Sequence, residues 1–121
     1  MEERLFDYWR EKLGLTDWTI KFEANVDPED MVVDEASGCT SWQESTKTAH
    51  IQILNKDRYK NRVAPFDVEQ TIVHELLHLK LTFLSSECDQ LQERVVHQLI
   101  DDLAKSFVNA RRDNKIKKEN K

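Results

Sequence analysis

Cysteine, glycine and proline are scarce in this chain: two of each in 121 residues. Cys39 and Cys88 lack the C-x-x-C spacing of a structural metal site or a redox motif. The N-terminus, MEERLFDYWREKLGL, is charged and amphipathic, unlike a secretory signal, so two reduced thiols and a cytoplasmic location are expected. So few glycines and prolines exclude low-complexity linkers and a many-turned β-sandwich. No apolar run approaches the roughly 20 residues that span a bilayer, so no membrane partner is expected. Acidic residues outnumber basic ones by 23 to 18, a formal charge of -5, which argues against nucleic-acid binding by the body of the chain. The one basic stretch is residues 111–121, RRDNKIKKENK. It reads as a flexible, solvated tail, with a phosphate or membrane-surface contact as the alternative, and is the only candidate for contact with nucleic acid.

What is present fits a single domain over residues 1–110. Hydrophobic residues make up 39% of the chain, enough for one core. Leu5, Phe6, Trp9 and Leu13 recur at the spacing of one helical face, and Gly14 follows as a helix-ending glycine. Trp18 to Glu23 alternates apolar and polar like a half-buried strand. Residues 25–37 are polar and turn-rich. Gly38–Gln43 and Thr48–Leu54 then form a hairpin across Glu44–Lys47, with His50, Gln52 and Leu54 on the outer face and His50 solvated. Asp67 caps a helix over about 68–84. A second long helix is expected over about 87–110, with Leu91, Val95, Leu99, Leu103 and Phe107 as its buried stripe. The fold class is therefore α+β: an N-terminal helix, a small, mostly antiparallel three-stranded sheet, and two further helices.

The chemistry concentrates at His74-Glu75-Leu76-Leu77-His78, an H-E-x-x-H motif. Residues four apart share a helical face, so both imidazoles can reach one tetrahedral metal. Glu75 lies about 100° further round the helix, beside the site, placed to act on a water activated by zinc. Apart from the motif itself, Ile72 to Leu84 is Leu, Ile, Val or Phe, with only Lys80 and Thr82 as polar exceptions. Three titratable groups on so apolar a helix each cost several kcal/mol unless paired or bound to metal. Catalytic zinc takes a third protein ligand and leaves one position open. Glu93 is the expected third ligand, with Asp89 its rival and His97, one turn on, orienting Glu93 or His74.

HELLH at 74–78 followed by Glu93 and His97 on the next helix resembles the gluzincin clan of metallopeptidases in a minimal form. It is similar to the small HExxH proteins of phages, prophages and mobile elements, and more distantly to the ImmA-type peptidases. The resemblance spans roughly residues 38–108. It implies a zincin-like fold and hydrolysis of a peptide or protein substrate with Zn2+ as cofactor. It also implies that an extended substrate adds to the strand before the HExxH helix, here Thr48–Leu54, through Thr48, His50 and Gln52. His78 is not followed by the H-x-x-G-x-x-H continuation of a metzincin. An alternative function of another class is a non-catalytic, zinc-stabilised module that captures a partner strand on its sheet edge.

Overall fold

The structure, a computed structural model, describes residues 2–33, 36–60, 65–82 and 90–119, apart from the side chains of 90, 91 and 116–119. Helix α1 covers Glu2–Lys12 and buries Phe6 and Trp9. Its end is a Schellman turn: Leu15 N–H reaches Arg10 C=O at 2.9 Å and Gly14 N–H reaches Glu11 C=O at 3.0 Å. Gly14 supplies the left-handed φ of +70° that this turn needs.

Three strands follow, β1 (Thr19–Val26), β2 (Gly38–Gln43) and β3 (Thr48–Leu54). The β2–β3 hairpin forms across Glu44–Lys47 as its local sequence predicts, pairing Gly38 with Ile53 and Gln43 with Thr48. The sheet order is β1-β3-β2, with β1 parallel to β3 and β2 antiparallel to it. The sheet is thus mixed rather than mostly antiparallel, and β3 is its centre.

Both edges of β3 are paired, and the predicted solvent face survives only at exposed Thr48 and half-buried His50. Ile51 and Ile53 enter the main core, while Leu54 joins Val26, Met31 and Cys39 in a smaller cluster behind the sheet. Gln52 is buried there too. It accepts from Val32 N–H at 2.8 Å and donates to Asp30 C=O at 3.1 Å, tying down the β1–β2 connection.

Helix α2 covers Val68–Lys80 and is capped as expected, Asp67 accepting from Gln70 N–H at 3.0 Å. It carries the core, with Ile72, Val73, Leu76, Leu77 and Leu79 all buried. Helix α3 covers Gln90–Glu119. Its buried face is Ile100, Ala104 and Val108, whereas Val95 is 60% and Leu99 42% exposed. The expected stripe is therefore about one residue out of phase. Leu103 packs only partly, Phe107 stacks against Trp9 at 6.5 Å, and the side chain of Leu91 lies outside the described residues.

The expected boundary at 110/111 falls inside α3. Arg111 and Arg112 are not part of a solvated tail but pair with Glu69 and Asp67 on α2. The described architecture is an α+β fold of three helices and a three-stranded mixed sheet. No helix among the described residues is long and apolar enough to cross a membrane.

Candidate metal centre

Successive turns of α2 carry His74 and His78 onto the face that meets α3, and α3 answers with His97. One nitrogen from each of the three imidazoles lies within 4.8 Å of the others. Ring centroids are 5.1 Å apart for His74–His78, 5.8 Å for His74–His97 and 4.9 Å for His78–His97. The three imidazoles thus lie close enough together to bind one metal ion.

Electrostatics suit the ligand role. Burial, reinforced by the neighbouring His74 and His97, pushes His78 down to about 4. Burial also lowers His74, against the opposing pull of Asp101. Both imidazoles are therefore neutral at pH 7, the form that donates a lone pair to a metal. Asp101 Oδ1 stands 3.4 Å from His74 Nδ1 and its other oxygen 3.4 Å from Lys105 Nζ. A carboxylate on Nδ1 fixes the tautomer and leaves Nε2 as the donor.

Glu75 directs its carboxyl towards β2. Burial raises its carboxyl to about 7, moderated by a hydrogen bond donated by Thr40 Oγ1 to Oε1 at 2.7 Å. Trp42, two residues along β2, stacks on His78 with centroids 6.3 Å apart. A cavity of about 800 Å³ opens over this group, walled by β2 on one side and α3 on the other.

The expected site residues divide accordingly. His74, Glu75 and His78 come together. Glu93 lines the cavity as an exposed side chain but is not among the clustered donors, and His97 stands where that third ligand was expected. Asp89 lies outside the described residues. Thr48, His50 and Gln52 do not line the cavity. Each has a structural partner instead: Thr46 for Thr48, Glu23 for His50, and the connection at 30–32 for Gln52. Strand addition needs a free edge, and β3 is flanked by β1 and β2, so these three are corrected as substrate contacts.

Sequence reasoning missed Gly38, Thr40, Trp42 and Asp101. Asp101 had a legible signal, since Glu93, His97 and Asp101 recur every four residues on one helix. The β2 residues had none, because their relation to Glu75 is purely tertiary. Compared with known proteins, the chain matches no protein-family model, no curated protein and no solved structure.

Proposed function

We propose that this domain is a zincin-like, zinc-dependent hydrolase of peptide bonds, with His74, His78 and His97 as metal ligands and Glu75 as general base. The observation that carries the reading is the convergence of three imidazoles beside a buried glutamate that faces the same open cavity. The donor set fits zinc: three imidazole nitrogens, those of His74 and His78 held neutral by burial, and no fourth His, Cys or acidic donor in the group among the described residues. Zinc in such a site supplies Lewis acidity, polarising a carbonyl and lowering the pKa of water to about 7.

The chain's own residues perform the rest. Glu75, with its carboxyl poised near 7, takes the proton of the attacking water and returns it to the leaving amine. Asp101 holds the His74 ring in register. Substrate lies along β2, whose outer edge pairs with no strand among the described residues and whose Gly38, Thr40 and Trp42 line the cavity. The third ligand, a histidine, departs from the glutamate that the resemblance implies.

The test is cleavage of a mixed peptide library by the zinc-loaded protein, read by mass spectrometry beside Glu75→Gln. Cleavage by the parent alone, with both proteins holding one zinc, supports the hydrolase. Equal cleavage by both removes Glu75 from the chemistry. No zinc in the parent after loading ends the reading.

A further inference from the structure

Glu75 is only 6% exposed, and both of its carboxyl oxygens meet β2. Thr40 Oγ1 donates to Oε1 at 2.7 Å and stands 3.3 Å from the Glu75 backbone carbonyl. Against Oε2 lies Gly38. A Cβ built there would be 3.0 Å from Oε2, 3.1 Å from Glu75 Cγ and 2.9 Å from Thr71 Cγ2. The contact with Thr71 is closer than real Cβ atoms essentially ever come, and the two with Glu75 are tighter than nearly all of them, so any side chain at 38 would press on the carboxylate and on Thr71. Residues 38 and 40 share one face of β2, because strand side chains repeat every two residues. One therefore leaves room for the carboxylate while the other holds it.

From this we infer that Thr40 is a positioning residue for Glu75, with Gly38 providing the space it is held in. The inference rests on the hydrolase reading and extends it to the residue that separates base from ligand. Glu75 adjoins His74 on α2, and a carboxylate free to turn would compete for the metal that His74 and His78 face. Thr40 holds it against the strand. Its β-branched side chain confines χ1, so the hydroxyl stays aimed. Substrate on the outer edge of β2 would then lie on the strand that carries the base's partner, which ties binding to proton transfer.

Acetohydroxamic acid is a suitable probe, a small zinc chelator whose acidic proton is taken up by a carboxylate beside the metal. Its affinity is measured by calorimetry on the zinc-loaded full chain, with zinc content and circular dichroism recorded for each variant. Losing the hydrogen bond that orients the carboxyl predicts that Thr40→Val weakens binding about tenfold with zinc retained, while Thr40→Ser stays near the parent. Thr40→Val on top of Glu75→Gln should weaken binding no further, since both act through one carboxylate. Gly38→Ala leaves the hydroxyl and displaces the carboxylate, so it should weaken binding as well. Parental affinity in both Thr40→Val and Gly38→Ala, or additive losses in the double variant, overturns the inference and leaves the hydrolase standing. Parental affinity in Glu75→Gln overturns the hydrolase reading, and the inference falls with it.

Discussion

Ending the chain after Ala110 removes Arg111 and Arg112 and strands a buried carboxylate. Glu69 has a side chain only 4% exposed, and it receives Arg111 Nε at 2.6 Å, Arg111 Nη2 at 2.7 Å and Arg112 Nη2 at 3.2 Å. Trp9 Nε1, at 2.8 Å, is the partner that survives the truncation. Burial alone would raise the Glu69 carboxyl, yet the hydrogen bonds from Arg111 and Trp9 and the charge of both arginines hold it below its ordinary value of 4.5.

Breaking a buried ion pair from one side costs about 3–5 kcal/mol. The guanidinium side chains are 27% and 41% exposed, and water screens part of the loss, which places it near the low end, about 3 kcal/mol. For a domain of this size that corresponds to a melting temperature lower by roughly 12 °C. A chain ending after Arg112 keeps both pairs and should melt within about 2 °C of the parent.

Thermal unfolding of the two truncations at pH 7, followed by circular dichroism, compares proteins differing by two residues. Coincident melting curves would refute the argument and return 111–121 to the status of a solvated tail. The sign with pH is also set. The folded carboxyls of Glu69 and Asp67 are depressed, so their contribution is complete above 4.5 and 3.8 and is lost as pH falls through their lower folded values. The gap between the truncations should therefore shrink on acidification below 4.5.

Equilibrium dialysis against zinc separates the expected third ligand, Glu93, from the clustered His97: His97→Ala should lose at least tenfold in affinity, while Glu93→Ala should bind as the parent does. In chelator-treated protein the raised Glu75 carboxyl, about 7 against an ordinary 4.5, opposes folding once ionised. Its stabilisation is full below 4.5 and lost as pH rises through 7, so Glu75→Gln should be more stable than the parent at pH 8 by on the order of 3 kcal/mol, with the gap vanishing near pH 4.5. Equal urea midpoints at pH 8 would contradict the burial argument. His78 has the opposite sign. With its folded value depressed from 6.5 to about 4, metal-free Glu75→Gln protein should hold its full stability above 6.5 and lose it progressively as pH falls towards 4. Replacing His78 with Phe in that background should flatten this loss in urea titrations.

The sequence by itself determined whatever depends on neighbours along the chain. Asp67 caps α2 because its side chain meets an N–H three residues on, and His74 and His78 share a face because a helix repeats every 3.6 residues. The β2–β3 hairpin closes over four polar residues that lie between its strands in the sequence. Tertiary structure decided the rest, wherever local pattern left two solutions of similar quality. Thr48–Leu54 pairs locally with β2, but only the distant parallel pairing of Thr19 with Thr48 makes it a central strand and passes the free edge beside the cavity to β2. On α3, Leu99 and Ile100 each belong to an apolar stripe, and periodicity cannot choose between stripes one residue apart. Packing against α2, with Arg111 locked to Glu69 across 42 residues of sequence, turns Ile100 inward. That same rotation brings His97 to His74 and His78, so which residue completes the histidine cluster was decided by helix packing and not by the motif.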